Sequence, residues 1–217
     1  MQADWVDVLE AVYAPAADDA AWGRRLIEAA TPVFGTSLAV GLGGVQHTAD
    51  CGSARLILNI GGIADRFLPR AVPLFSSLGQ DGLRKLFYPA SIVSTAHEMA
   101  ARWPDFAASM SGLMNDLDMR DAVGLVVNPD PGVSIVLFAH HAAEVVLSRH
   151  QRTLLTQLAL HFETGYRLRR RPELVQAVIS ADGKLLHRED AAPQLEAMTA
   201  HVRRIERART RRERRAP

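Results

Sequence analysis

The chain has 217 residues, 48% of them hydrophobic and 23% charged, with a net charge of +1 and one cysteine, Cys51. That composition supports a packed core and excludes disorder along the whole chain. A single thiol excludes an internal disulfide and fits a reducing, cytoplasmic setting, and the longest apolar runs, at 123–127 and 133–139, are far short of the about 20 residues a membrane span needs.

Taken in chain order, the first thirty-five residues predict two helices. Trp5, Val8, Leu9, Val12 and Tyr13 fall on one face at helical spacing, and Pro15 ends that run. Asp18 or Asp19 caps a second helix striped by Trp22, Leu26, Ala29, Ala30 and Val33, which Gly35 closes. Residues 37–45 and 55–60 are β-compatible and flank a turn-rich stretch at 48–53, the pattern of an antiparallel hairpin that Gly61-Gly62 breaks. Residues 64–78 are amphipathic and read as a helix interrupted by Pro69 and Pro73, followed by a short apolar element at 83–88.

Ser94 or Thr95 with Glu98 has the spacing of a capping box. The helix it opens carries Met99, Trp103, Phe106, Met110, Leu113 and Met114, and Pro104 predicts a kink or two pieces. Residues 121–127 and 133–140 read as two more strands, joined by the turn signal Asn128-Pro129-Asp130-Pro131-Gly132. Ser148 caps the longest helix, 149–171, with Leu154, Leu155, Leu158, Ala159, Phe162 and Tyr166 as its apolar stripe. Pro172 ends it. Residues 176–188 read as a small hairpin turning at Asp182-Gly183. A last helix from about Pro193 sets Leu195, Met198, Val202 and Ile205 at 3, 4, 3 spacing, a short heptad seam. Beyond residue 200 there are eight arginines against two glutamates, which leaves the preceding chain at −5. Such a basic end reads as a solvated helix terminus or as a linker to a DNA-binding module.

Helices, a hairpin, helices, a second hairpin and a long helix predict an α+β fold with an antiparallel sheet of about five strands flanked by helices. Domains of the GAF or PAS kind follow this order. Two stretches carry a closer resemblance: Ser148-Arg149-His150-Gln151-Arg152-Thr153-Leu154-Leu155, running on through Leu158-Ala159-Leu160-His161-Phe162 to Arg167-Leu168-Arg169-Arg170, and Gln176-Ala177-Val178-Ile179-Ser180-Ala181-Asp182-Gly183-Lys184-Leu185-Leu186-His187. Together with Trp5, Val8, Leu9 and Trp22 they resemble the region that precedes the DNA-binding domain in LuxR-type helix-turn-helix regulators with GAF-like front domains. The resemblance implies a GAF-like sensor domain at 1–172, a small PAS-like hairpin at 173–192 and a basic helix or linker at 193–217. It further implies DNA contact only through a C-terminal domain not present in these 217 residues. The tryptophan–tyrosine motif of the acyl-homoserine-lactone receptors of that broad family has no counterpart here, so a lactone ligand is not implied.

The chemistry-bearing residues point away from catalysis. No phosphate loop, nucleophile elbow or His-Glu-x-x-His pattern is present. Gly41-Leu42-Gly43-Gly44 reads as a strand irregularity. His140 and His141 are adjacent on a strand and point to opposite faces, so they cannot ligate one metal together. One is expected to pack on the sheet and the other to be solvated. Cys51 follows an acid that disfavours its thiolate. Asp116, Asp118 and Asp121 with Glu98 read as turn and cap residues. Arg167, Arg169, Arg170 and Arg171 are expected to serve the last turn of their helix.

The aromatic and methionine set can line a ligand cavity or fill an ordinary core. As ligand-binding candidates it supplies Phe75, Phe87, Tyr88, Trp103, Phe106, Met110 and Phe138, with His140. Met114 belongs to the same set. The expectation is therefore a non-catalytic, cofactor-free sensor or dimerisation domain. Its small-molecule or protein ligand is unknown, and homodimerisation is expected to run through Leu195, Met198, Val202 and Ile205. A stand-alone ligand-binding or scaffold protein and a small enzyme with an unrecognised site are the alternatives.

Overall fold

The structure is a computed structural model; it describes residues 5–61, 64–170 and 200 and the backbone of two short strands at 177–179 and 185–188. Two helices come first, α1 (Trp5–Tyr13) and α2 (Asp19–Ala30). Asp18 caps α2 by accepting from the Ala21 amide at 2.7 Å. A single turn, Thr31–Phe34, continues the helix until Gly35 stops it at φ 67°, in the left-handed region that favours glycine.

Strands β1 (Ala39–His47) and β2 (Ala54–Ile60) form the first hairpin, and β4 (Asp121–Asp130) and β5 (Val133–His141) the second. The three-residue β3 (Val93–Thr95) lies at an edge. The sheet is antiparallel, in the order β2-β1-β5-β4-β3. β4 runs on through Pro129 with a register shift between Val127 and Asp130, so the predicted five-residue turn narrows to Pro131-Gly132. The predicted irregularity in β1 is a register shift against β2 at Gly44/Val45.

Each strand alternates between two differently covered faces. On one, Val40, Leu42, Val123, Leu125, Ile135 and Leu137 join Val12, Trp22, Leu26, Leu158 and Phe162 in the main core. This face is covered by α1, α2 and α7 (Arg149–Arg170). Full burial of each large apolar side chain contributes about 1.5–3 kcal/mol. Trp22 anchors the layer: its indole N–H donates to the Val12 carbonyl at 3.0 Å, its ring stacks on Phe162, and the Arg169 guanidinium lies over it at 5.2 Å. The apolar stripe of α7 is therefore used within the chain's own core.

The opposite face is covered by α3 (Ala64–Ser77), α4 (Gly79–Phe87), α5 (Ala96–Arg102) and α6 (Pro104–Asp116). Pro69 and Pro73 do not interrupt α3 as the sequence predicts; the helix is continuous. Both prolines sit on its exposed side, four residues apart, where water can take up the carbonyls they leave unbonded. Pro104 does divide its helix: Trp103 is extended (φ −143°, ψ 86°), ending α5 and preceding α6. The capping box is formed, with Thr95 Oγ1 accepting from the Glu98 amide and the Glu98 carboxylate accepting from the Thr95 amide, both at 3.1 Å. A second one opens α7, where Ser148 and Gln151 exchange the same two bonds.

The strands β6 (Ala177–Ile179) and β7 (Leu185–Arg188) pair antiparallel as the predicted small hairpin. The candidate dimer residues Leu195, Met198, Val202 and Ile205, and the arginine-rich end, lie outside the described residues. No helix among the described residues is long and apolar enough to cross a membrane.

Candidate functional site

The second face of the sheet is built to leave space. β5 presents Ser134, Val136, Phe138 and His140 to it, and β4 presents Ala122, Gly124 and Val126. Along β4 the residues facing the main core are fully buried while those on this side keep partial exposure, in strict alternation. Two glycines of β1 set how close α3 can come. A Cβ on Gly41 would stand 2.7 Å from the Phe138 ring and 3.1 Å from Ala64, and one on Gly43 would stand 2.7 Å from Leu68. With α3 drawn in over β1, the helices α4 to α6 arch over β4 and β5. Between them and the sheet lies a partly enclosed cavity of about 140 Å³.

Of the candidates taken from the sequence, Phe75, Phe87, Phe106, Met110, Phe138 and His140 line this cavity, as does Met114. Tyr88 and Trp103 do not. Tyr88 is 46% exposed, with its ring edge on His47. Trp103 packs beside Phe106, with Lys85 over its ring at 5.7 Å. Wall residues absent from the sequence-based set include Phe67, Leu68, Met99, Met119, Ser94 and Ser134. The helical periodicity of 64–78 placed Phe67 and Leu68 on a buried face; nothing local marks the two serines.

Among the described residues the wall contains no Asp, Glu, Lys or Arg, and its polar side chains are Ser94, Ser134 and His140. Ser94 donates to the Ser91 carbonyl. Ser134 lies 3.0 Å from His47 Nε2 and 2.6 Å from Asn128 Oδ1, a serine–histidine contact that could suggest an activated nucleophile. The surrounding bonds argue otherwise. Asn128 Nδ2 donates to the Phe87 carbonyl at 3.0 Å, which turns Oδ1 toward Ser134 as an acceptor. The Ser134 hydroxyl therefore donates to Asn128. His47 sets Nε2 3.0 Å from Ser134 and Nδ1 3.1 Å from the Thr48 carbonyl; with its single proton directed to Asn128, the hydroxyl has none turned toward the imidazole. His47 also stacks on Phe87, with ring centroids 4.6 Å apart, so this network holds α4 to the β4–β5 hairpin.

His140 is different. It is fully buried, and neither ring nitrogen has a hydrogen-bond partner among the described groups. Phe67 meets its ring edge-on at 4.9 Å, and Phe138 lies 5.0 Å away. Burial, aided by neighbouring His141, pushes its pKa down to about 3, so the imidazole is neutral at ordinary pH, one nitrogen a donor and the other an acceptor. An unpaired buried polar group is costly and rare.

The predicted opposition of His140 and His141 holds, but His141 is not solvated: it is 6% exposed on the other face, opposite Asp121. Desolvation lowers its pKa, with Asp121 working against the shift. Asp121 is fully buried and accepts from the His97 and Val145 amides, which draws two segments over that end of the sheet. The four acids read as turn and cap residues are scattered: Glu98 caps α5, Asp121 ties backbone, Asp116 bonds Arg70 at the surface, and Asp118 turns the chain at φ 53°.

Cys51 is buried, 3.9 Å from His47 Nδ1. Rather than serving only the last turn of α7, Arg167 donates to the Pro129 carbonyl and Glu163, and Arg169 to the Asp18 carbonyl and Asp19. Among the described residues no group of three or more His, Cys, Asp or Glu side chains is placed to hold a metal ion. No protein-family model matches the sequence, and no curated protein matches it significantly.

Proposed function

We propose that this chain is the sensor region of a LuxR-type transcription regulator, binding a small molecule in the cavity beneath α3 to α6 and passing the change to α7. The observation that carries the binding reading is His140: a fully buried imidazole with both nitrogens unpaired, on the wall of an otherwise apolar cavity. Pockets of this makeup, mostly apolar with a few polar groups, are where small ligands bind. The regulator reading is supported by the resemblance over residues 148–187 and by the element order, helices and hairpins leading to α7 and then to the small β6–β7 hairpin. The domain binds without turnover, since Ser134 is committed to Asn128 and the wall supplies no acid–base pair. A homodimer through Leu195, Met198, Val202 and Ile205 belongs to the same reading.

Native mass spectrometry of the purified chain tests both parts. The expected spectrum is a dimer with a retained small-molecule adduct. Gly124→Leu should abolish the adduct, because a Cβ at Gly124 meets nothing closer than 3.8 Å and the larger side chain fills the cavity. An adduct that survives Gly124→Leu would remove the cavity from the proposal, and a monomer at high micromolar concentration would remove the dimer.

A further inference from the structure

Resting on the sensor reading above, we infer that the cavity selects a neutral, single-ring aromatic carrying one hydroxyl or ring N–H, and that His140 is the residue that selects it. Size sets the first limit. The cavity measures about 140 Å³, and an apolar cavity of about 150 Å³ accommodates benzene. A tetrapyrrole, a nucleotide or a long acyl chain is far too large for it.

The wall sets the second limit. Phe67 and Phe138 flank His140, and Phe75 and Phe106 lie stacked at 6.3 Å. These are flat surfaces suited to edge and offset contacts with another ring. Met99, Met110, Met114 and Met119 complete the enclosure with flexible thioethers that adapt to a substituent.

Charge sets the third limit. With no Lys or Arg in the wall, a carboxylate or phosphate entering it would lose its hydration and gain no counterion. An ammonium would likewise find no acid. His140 cannot supply the missing positive charge, because its burial keeps the ring neutral. What it can supply, once its ring turns to bring a buried nitrogen to the cavity, is one hydrogen bond. Ser134 is occupied by His47 and Asn128 and Ser94 is turned to a backbone carbonyl, so among the described residues His140 is the wall's polar side chain left without a partner. A site that leaves a buried polar group unpaired discriminates strongly against the analogue that cannot pair with it.

The test uses the full chain with 13C-methyl methionine at pH 7, titrated with 4-methylphenol, p-xylene and benzoate. The first two share a shape and differ in the hydroxyl; the third is an anion. Both neutral rings should shift the same methionine methyls, with 4-methylphenol bound about tenfold tighter or more, and benzoate should leave the methyls unmoved. On binding of 4-methylphenol the imidazole 15N signals of His140 should move. In His140→Leu the two neutral rings should bind alike.

Equal affinity for 4-methylphenol and p-xylene in the unmodified chain, or benzoate bound as tightly as the phenol, would overturn selection by His140 while leaving a ligand-binding cavity. If none of the three moves a methionine methyl, the cavity reading falls together with this inference. The comparison within the unmodified chain decides the question even if the leucine variant does not fold.

Discussion

The Arg152 guanidinium on α7 bonds the Glu98 carboxylate at 2.5 Å, and its other terminal nitrogen donates to the Val93 carbonyl at 3.0 Å. One side chain thus ties the long helix to the capping box of α5 and to edge strand β3. Both of those elements also wall the cavity, through Ala96, Met99 and Ser94. Partial burial opposes the charge on Glu98, but the Thr95 amide and Arg152 outweigh it and hold the carboxyl below its ordinary range. A movement of α5 therefore has a direct mechanical connection to α7.

That connection should be measurable as a coupling energy. Glu98→Gln keeps an acceptor for the Thr95 amide and loses the ion pair; Arg152→Met loses its bonds to Glu98 and to the Val93 carbonyl. The pair is about a third exposed, so a double-mutant cycle by urea unfolding should give about 0.5–1 kcal/mol. Additive single effects would show that the contact contributes nothing, and the proposed route to α7 would lose its basis.

Gly165 lets α7 cross α1. A Cβ there would stand 2.4 Å from Val12 Cγ1 and 2.8 Å from the Val12 carbonyl oxygen. Gly165→Ala should destabilise the fold by about 1–3 kcal/mol despite the better helix propensity of alanine. Trimming Val12 to alanine in the same chain should recover only part of the loss, because the carbonyl clash remains. A neutral or stabilising Gly165→Ala in urea titrations would mean that the two helices separate at no cost.

The sequence made the locally encoded features readable. Caps at Asp18, Thr95 and Ser148 depend on side chains bonding three residues away, and the turn before β5 depends on its own residues, so spacing located the first two caps to within one residue, the third outright, and the turn within the stretch 128–132. Four of the ligand candidates, Phe75, Phe87, Phe106 and Met110, reached the cavity because apolar helical positions on 67–114 must face a sheet, and Phe138 and His140 because they alternate on the same face of β5.

What failed depended on distant neighbours. β3 has three residues and pairs only with β4, which is too short for an alternation signal. The tolerance of Pro69 and Pro73 follows from which side of α3 faces water. Tyr88 and Trp103 sit at helix ends and turn away from the cavity. The burial of His141 depends on the segments that Asp121 gathers over it.

Acid should destabilise this protein through His140. Its pKa is about 6.5 unfolded and about 3 folded, so between those values the unfolded chain binds the extra proton. The stability is fully present above pH 6.5 and falls as the pH drops, by up to about 1.4 kcal/mol per pH unit for one such group. His141, also lowered by burial, adds in the same direction. Urea midpoints at pH 7.5 and pH 5 should differ accordingly, and His140→Phe should reduce the difference. Identical midpoints for the unmodified chain would contradict the neutral buried imidazole.

The same residue should be a liability for stability at neutral pH. His140 gives up hydration at both ring nitrogens and gains no partner for either, a cost of about 1–3 kcal/mol. Phenylalanine keeps a ring against Phe67 and Phe138 and removes both stranded nitrogens, and the adjoining cavity takes up its slightly greater bulk. His140→Phe should therefore raise the unfolding free energy at pH 7.5 by about 1–2 kcal/mol, while preference for a phenol over its hydrocarbon isostere disappears. A residue kept for packing alone would behave oppositely, losing stability on replacement and leaving ligand preference untouched. Urea unfolding of the variant alongside the phenol and xylene titrations separates the two cases. A fall in stability of more than about 1 kcal/mol, a size typical of ordinary core substitutions, would show that the imidazole is satisfied within the fold and is not held open for a ligand.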